Sequence, residues 1–235
     1  MVTRKERQPV AQQIVEIIRE LRLTSGDSMP TELELIERLN VSRNTVREAI
    51  RELRAWGIVD IRHGHGTFVA SPSLQALAPS LVFRTLVAGP KGLDALENLA
   101  KVREMLETSA IAELTDRLDA TDLDHLLELC EQIGDADGSA EADREFHRVL
   151  YSHLANPLVG QLVDVFWDAY HDAHDQLAEV SPYGSGSVEA HRRIVLALAN
   201  GSADDARDAM RVHFQGIYER IELARARPTH EAVAS

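Results

Sequence analysis

Three histidines in the C-terminal part of the chain stand where a helical repeat predicts an apolar residue. His147, His191 and His213 each lie on an apolar stripe of period three to four, so each is expected to point into a helical bundle. Asp143 precedes His147 by four residues and leaves the same helix face. Such histidines are usually hydrogen-bonded core residues, yet three imidazoles and a carboxylate also form a ligand set for a divalent cation. Spacing alone leaves both interpretations open.

Two charged residues interrupt another apolar stripe. Arg103 and Glu107 fall on the stripe that runs from Leu93 to Leu114. Because a buried charge must be paired or must meet a charged ligand, two interpretations arise. The i, i+4 spacing predicts an ion pair between them. Alternatively, Arg103 binds the carboxylate of a small effector, since a guanidinium matches a carboxylate through two parallel hydrogen bonds.

Three further polar residues are candidates for a site inside the predicted helical bundle. Asn156 either faces the pocket as an effector-binding residue or caps the helix that Pro157 begins. His171 and His174 form an i, i+3 pair, but their segment is rich in aspartate, which predicts a solvated face. If a metal ion binds, Asp143 and the three histidines on apolar stripes are therefore better candidate ligands than His171 and His174.

The residues after about 73 contain no strand pattern and are predicted to be helical throughout. Glycine, proline, asparagine and aspartate separate the segments, and short connections of this kind predict an antiparallel bundle of six or seven helices over residues 73–230. The predicted segments are about 74–88, 92–117, 120–134, 139–155, 157–179, 187–200 and 203–226.

Residues 1–72 carry a different pattern. A one-faced helix is predicted from about 8 to 21, a second over 31–39 behind a Thr31 to Glu34 capping box, and a third that Ser42 caps. Two short helices joined by a turn of about three residues indicate a helix-turn-helix. Two β-rich runs, 58–61 and 67–69, then flank a glycine-containing tip. The predicted fold class is mainly α: a winged helix-turn-helix followed by an all-α bundle.

The third helix and the wing supply the groups that nucleic-acid recognition requires. Four arginines, at 43, 47, 51 and 54, fall within about an 80° arc of the third helix. A recognition helix enters the major groove by its N-terminal end, where arginine can contact guanine O6 and N7. The predicted DNA-binding residues are Arg43, Asn44, Thr45, Arg47, Arg51, His63, Gly64 and His65.

The charge distribution agrees with this division. The 235-residue chain has a net charge of −13, but residues 1–70 hold 11 Lys and Arg against 10 Asp and Glu, so the acidity belongs to the remainder. The single Cys130 excludes an internal disulfide and a thiolate zinc cluster within one chain. No run approaches the roughly 18 apolar residues of a membrane helix. We expect a cytoplasmic protein without a membrane partner.

The N-terminal motif resembles a known family. The stretch PTELELIERLNVSRNTVREAIREL from Pro30, with Gly57 and GHGTFV from Gly64, is similar to the GntR-family winged helix. The resemblance implies that Arg43, Thr45, Arg47, His63 and Gly64 contact DNA. Many relatives carry arginine where this chain has Leu33, which predicts a different operator sequence.

The C-terminal motifs resemble the FCD ligand-binding domain of the FadR-like branch of that family. The segments from Asp143 to His147, Glu189 to His191 and Met210 to His213 carry the resemblance. It implies that Asp143 and the three histidines hold a divalent cation, zinc first with nickel or manganese as alternatives, and leave positions open for an effector carboxylate. Relatives also carry an arginine at the position of Arg103, and this resemblance favours the interpretation in which Arg103 binds the effector carboxylate.

The predicted function is therefore a transcriptional regulator, taken as a repressor, that binds double-stranded operator DNA as a homodimer and responds to a small organic acid. It is not expected to be an enzyme. The alternative is a metal-dependent hydrolase or lyase, because an open divalent site can activate water. The sequence offers no separate general base near the ligands. A third interpretation keeps the DNA-binding role and makes the histidines purely structural.

Overall fold

The computed structural model describes residues 8–71, 73–133, 139–177 and 186–226. Within these ranges it contains ten α-helices and one two-stranded antiparallel sheet, and the predicted fold class is confirmed. The chain divides into two compact units, residues 1–76 and 77–235. The predicted domain limits, 1–72 and 73–230, stay a prediction, because residues 72 and 227–230 lie outside the described residues.

The first unit is built on three helices, α1 (Val10–Glu20), α2 (Glu32–Leu39) and α3 (Arg43–Ala55). Side-chain caps begin two of them: Thr31 and Glu34 form the predicted capping box, and the Ser42 hydroxyl accepts a hydrogen bond from the Thr45 amide. The apolar stripes of the three helices meet in one core, with Ile14, Leu35, Val46 and Leu53 fully buried. The opposite face of α3 is exposed and therefore accessible to a binding partner.

A β-hairpin completes this unit. Strands β1 (Val59–Arg62) and β2 (Gly66–Val69) pair antiparallel, and their turn is made possible by Gly64 and Gly66, which have φ angles of +75° and +108°. The backbone between α1 and α2 also bonds to β2, with Ser28 bridging Phe68. The hairpin is therefore anchored to the helical core from its far side.

The second unit consists of seven helices, as predicted. They are α4 (Ala78–Leu86), α5 (Gly92–Ala110), α6 (Ala120–Ile133), α7 (Ser139–Ser152), α8 (Pro157–Leu177), α9 (Ser187–Ala199) and α10 (Ala203–Ala226). Two predicted ends are tighter 3₁₀ turns instead, Gln75–Leu77 and Ile111–Leu114, a common geometry where an α-helix starts or stops. Residues 134 and 178–179 of the predicted segments lie outside the described residues, and most of the connection between the predicted segments 157–179 and 187–200 does too.

One apolar core holds the seven helices together. Helix α10 packs against α5 and α9, α8 packs against α4, α5 and α7, and α6 packs against α7 and α9. Leu96, Phe146, Ile194 and Phe214 lie fully buried at the centre of this core. In the part of the chain that the structure describes, no helix is long and apolar enough to cross a bilayer.

Candidate functional site

The structure brings the three predicted histidines together. His147 on α7, His191 on α9 and His213 on α10 are buried, and one ring nitrogen of each lies within 4.8 Å of the others. Asp143 lies one turn before His147, with its Oδ1 atom 2.9 Å from His191 Nε2 and 3.7 Å from His147 Nε2. Four helix positions that are up to 70 residues apart in sequence thus form one compact group of three nitrogens and a carboxylate.

The outward-facing nitrogens of two histidines lie against oxygen atoms, and among the described residues only the Ser187 carbonyl oxygen forms a hydrogen bond there. His191 Nδ1 lies 2.7 Å from the Ser187 carbonyl oxygen, and His147 Nδ1 lies 2.9 Å from Glu107 Oε2. These oxygen atoms hold the two imidazole rings with Nε2 towards the centre of the group. The Nε2 atoms of His147 and His213 are buried and have no hydrogen-bond partner within the described residues. Because buried polar atoms normally have a hydrogen-bond partner, these nitrogens are candidate ligands for a metal ion.

Electrostatics favour the protonation states that ligands need. Burial alone would raise the pKa of Asp143, but contacts with His191 and His147 outweigh burial and hold that pKa well below its usual value. Burial lowers the pKa of His213 well below 6.5, and the neighbouring histidines lower it further. An ionised carboxylate and a neutral imidazole are therefore the forms present at neutral pH.

Arg103 and Glu107 are both buried on α5 and make the ion pair that their spacing predicts. Arg103 Nε donates to Glu107 Oε1 at 2.9 Å, and the Tyr151 hydroxyl donates to Glu107 Oε2 at 3.0 Å. Burial opposes ionisation of Glu107, but Arg103 and His147 outweigh it, and its pKa is about 2. Arg103 Nη2 remains buried without a hydrogen-bond partner within the described residues. Arg103 therefore forms the ion pair with Glu107 through Nε and keeps Nη2 available as a hydrogen-bond donor.

Helix α8 forms the remaining wall, and sequence reasoning missed its role. Trp167 Nε1 donates to Asp143 Oδ2 at 2.5 Å, and its ring stacks on His171 at a centroid distance of 3.7 Å. The prediction of a solvated face for His171 and His174 is wrong, because α8 packs against three helices and both side chains turn inward, with His174 only 2% exposed. Burial lowers the pKa of His171 to about 3.

Two cavities adjoin this group. The inner one has a volume of about 20 Å³, enough for one water-sized group. The outer one, between α9 and α10, has a volume of about 520 Å³. Ser187, His213 and Arg220 line both cavities, so they stand at the boundary between them. The inner cavity is further lined by Arg103, Asp143, Tyr170, His171, His191 and Ile217.

Asn156 does not join the site. Its side chain is exposed, and its Oδ1 atom accepts a hydrogen bond from the Leu158 amide at the start of α8. This is the capping interaction that the sequence offered as the alternative. The structure therefore places Asn156 outside both cavities and gives no support to the predicted effector contact.

The predicted DNA-binding residues all lie on the surface of the first unit. Arg43, Asn44, Thr45, Arg47 and Arg51 are exposed along α3, and His63, Gly64 and His65 are exposed at the hairpin tip. Several are engaged with neighbours: Arg47 pairs with Glu32, Arg51 pairs with Glu48, and Thr45 shares a hydrogen bond with the Ser42 hydroxyl. The surface carries cations and hydrogen-bonding groups, a composition suited to a nucleic acid.

Comparison with known proteins assigns both units. Residues 6–69 match the model for bacterial regulatory proteins of the gntR family, and residues 98–216 match the FCD domain. The solved structure of Streptococcus agalactiae GntR is similar, with a TM-score of 0.63 and 29% identity over 89% of this chain and 97% of that chain. Escherichia coli McbR/YncC shares the fold at a TM-score of 0.50 and 18% identity, over 91% of this chain and 97% of that chain.

Proteins related in sequence are also helix-turn-helix transcriptional regulators. The uncharacterized regulator YcbG of Bacillus subtilis is 27% identical over 92% of this chain and 87% of YcbG. LutR of the same organism is 26% identical over 53% of this chain, and the repressor NanR of Enterobacter sp. is 29% identical over 52% of it. These two matches span only about half of the relatives, 55% of LutR and 48% of NanR.

A winged helix-turn-helix joined to a helical domain with a buried polar site defines a DNA-binding transcriptional regulator with an effector-binding domain. The chain belongs to the GntR family and carries an FCD domain. The families and relatives that it matches are transcriptional regulators rather than enzymes, so the prediction that it is not an enzyme is confirmed.

Proposed function

We propose that this regulator is a repressor that binds a palindromic operator as a homodimer, and that a small carboxylate metabolite bound at a divalent metal site controls its operator affinity. The observation that carries the proposal is the group of three buried histidines with Asp143 beside them. Repression is proposed because the relative NanR is a repressor. Two-fold operator binding is the usual geometry of paired helix-turn-helix heads.

The donor set fits a metal ion. Three imidazole nitrogens and one carboxylate are the ligands that zinc prefers, with nickel and manganese as alternatives. Asp143, His147, His191 and His213 would hold the ion, and Glu107 and the Ser187 carbonyl oxygen would orient two of the imidazoles. When bound, the ion supplies a Lewis acid that attracts a carboxylate oxygen. The unpartnered Nε2 atoms of His147 and His213 support this assignment.

Arg103 is proposed to bind the effector carboxylate. It lines the inner cavity together with the ligand group, and its Nη2 donors are available there. A guanidinium donating to a carboxylate forms a short, charge-assisted hydrogen bond. The cavity thus offers a cation on each side of an incoming carboxylate, the metal on one and Arg103 on the other.

The cavity volumes limit the shape of the effector. The inner cavity of about 20 Å³ holds one water-sized group, such as a single carboxylate oxygen. The remainder of the molecule extends past Ser187, His213 and Arg220 into the outer cavity of about 520 Å³. Because charged and amide side chains such as Glu189, Arg193 and Gln215 line that space, the effector carries polar groups along its length.

In the first unit, the proposed DNA contacts are those predicted from the sequence. They are Arg43, Asn44, Thr45, Arg47 and Arg51 of α3 and His63, Gly64 and His65 of the hairpin tip. The N-terminal turns of α3 enter the major groove, and the glycine-containing tip approaches the minor groove.

Removal of one metal ligand tests the proposal. We expect gently purified wild-type protein to contain one divalent ion per chain by elemental analysis, and His213→Ala to lose it, with zinc affinity falling more than about 100-fold because a direct ligand is absent. His125→Ala, which removes a half-exposed histidine of α6, is the matched control. Zinc-loaded wild type should also change its operator affinity in mobility-shift assays when a panel of polar carboxylates is added.

Two results would contradict this proposal. Protein that contains no metal and binds zinc equally well with and without His213 would make the histidines structural. The second result is protein that holds zinc but shows no change in melting temperature or operator affinity with any carboxylate. Because a ligand of the folded state must raise the melting temperature, this result would support the metal site and exclude the effector role.

A further inference from the structure

A carboxylate lies against the arginines of the recognition helix. Arg47 Nε of α3 donates to both carboxylate oxygens of Glu32, at 3.0 and 3.1 Å, and Arg43 Nε lies 3.8 Å from Glu32 Oε2. Glu32 is the first residue of α2, and the fully buried Leu35 and Val46 fix the two helices against each other. The ion pair therefore spans two rigid elements instead of joining neighbours on one helix.

Neither folding stability nor DNA affinity accounts for the contact between Glu32 and Arg47. The Arg47 and Glu32 side chains are 54% and 35% exposed, and ion pairs this accessible contribute little to folding. A carboxylate beside the recognition helix also repels DNA phosphates and so weakens binding to every sequence equally. A residue that costs affinity for all DNA is useful only where it improves the choice between sequences.

The contact geometry indicates how that choice is improved. Glu32 occupies the Nε donor of Arg47, and the two Nη groups make no hydrogen bond within the described residues. Those Nη groups form a planar, end-on pair of donors that matches the O6 and N7 acceptors of guanine. An arginine already held by a carboxylate loses less side-chain freedom when it binds a base than one that is free to rotate.

We propose that Glu32 is a specificity-determining residue that holds Arg47 in position to read one guanine in each half-site of the operator. Glu32 acts through Arg47 and is a positioning residue. The proposal rests on the proposed DNA contact of Arg47. It adds that the contact is base-specific and that its selectivity depends on a carboxylate supplied by α2.

Positioning predicts two opposite effects of Glu32→Ala. Affinity for random-sequence duplex should rise several-fold at low salt, because one repulsive charge is gone. The ratio of affinities for the selected site and for random duplex should fall by roughly 5- to 150-fold, the range expected when one two-pronged contact to guanine is lost. The sites enriched from a random duplex pool should no longer require that guanine.

Three further variants separate positioning from charge. Glu32→Gln is neutral but keeps an oxygen that accepts from Arg47 Nε, so it should raise non-specific affinity as Glu32→Ala does while retaining most selectivity. Glu20→Ala removes a carboxylate from a comparable pair, which joins α1 and α2 through Arg38 at 2.6 Å, and should leave selectivity unchanged. In an Arg47→Ala background, Glu32→Ala should no longer alter selectivity.

The experiment uses full-length protein, selection from a random duplex pool, and titrations of selected and random duplexes at several salt concentrations, with thermal melting to verify folding. An unchanged guanine preference in Glu32→Ala overturns the proposal, as does an equal loss of selectivity in Glu20→Ala or an undiminished Glu32 effect without Arg47. If Arg47→Ala alone leaves the selected site unchanged, the proposed DNA contact of Arg47 fails as well. If Arg47→Ala relaxes the site and Glu32→Ala does not, only the positioning role fails.

Discussion

At the scale of single residues, Arg103 shows how one side chain satisfies two requirements. Its Nε atom neutralises the buried Glu107, which avoids an isolated charge in the core, while its Nη2 atom stays available at the inner cavity. The two interpretations that the sequence left open are therefore compatible. The same pair also connects the cavity to His147, because Glu107 Oε2 lies 2.9 Å from His147 Nδ1.

This arrangement predicts the behaviour of Arg103→Lys. Lysine keeps the charge that Glu107 requires but lacks the planar donor pair, so the variant should fold and bind zinc while its affinity for carboxylates falls about tenfold, the value of one charge-assisted hydrogen bond. The thermal shift that a carboxylate produces in zinc-loaded protein measures this. Arg148→Lys, at an exposed site on α7, should behave as wild type. Equal carboxylate responses in the two variants would remove Arg103 from the effector site.

At the scale of elements, the recognition helix depends on its cap. The Ser42 hydroxyl accepts from the Thr45 amide at 3.2 Å and lies 2.8 Å from the Thr45 hydroxyl, so it both begins α3 and restrains a predicted DNA-contact residue. The capping box of Thr31 and Glu34 similarly begins α2 and thereby sets the position of Glu32. Local capping thus helps to place the side chains that are proposed to contact DNA.

Removal of the Ser42 cap should therefore lower the local stability of α3 alone. We expect Ser42→Ala to lower the opening free energy of the first turns of α3 by about 1 kcal/mol, because one amide loses its acceptor. Amide hydrogen exchange of the full chain measures this locally, without requiring the two units to unfold together. Ser80→Ala, on the exposed face of α4, should leave α3 protection unchanged. Undiminished protection in Ser42→Ala would contradict the capping role.

At the scale of the whole molecule, charge is separated between the two units. The net charge of −13 arises entirely after residue 70, so the winged helix-turn-helix unit is nearly neutral, and its proposed DNA contacts depend on a local surface of arginines. The acidic remainder repels nucleic acid, which disfavours contacts with DNA by any other surface.

The proposed two-fold assembly predicts both the mass of the complex and the spacing of its DNA contacts. Sedimentation should give twice the chain mass of 26.1 kDa. Hydroxyl-radical footprints on the selected operator should show two protected regions with centres about 10 base pairs apart, or a multiple of that, because two equivalent heads meet one face of the duplex. A chain that sediments as a monomer and protects a single half-site would exclude the homodimer.

Local patterns in the sequence were sufficient for most of the architecture. The caps at Thr31 and Ser42, the apolar repeats of three and four residues, and the glycines of the hairpin tip act between neighbours in the chain, so they predict helices, turns and strands without knowledge of the fold. The inward histidine stripes were predicted for the same reason. The FCD and GntR resemblances lay in such contiguous motifs, and the family assignment confirms them.

Packing between segments that are distant in sequence determined which polar side chains contact each other. The contacts of Trp167 with Asp143, of Glu107 with Tyr151 and of Arg47 with Glu32 join residues 24, 44 and 15 positions apart. No repeat within one helix specifies such contacts, because they depend on which helices become neighbours and at what rotation. For the same reason, an aspartate-rich segment was misread as solvated although His174 is buried and His171 is half-buried. The sequence determined which elements form and which faces are apolar, and the tertiary structure alone determined which polar groups meet.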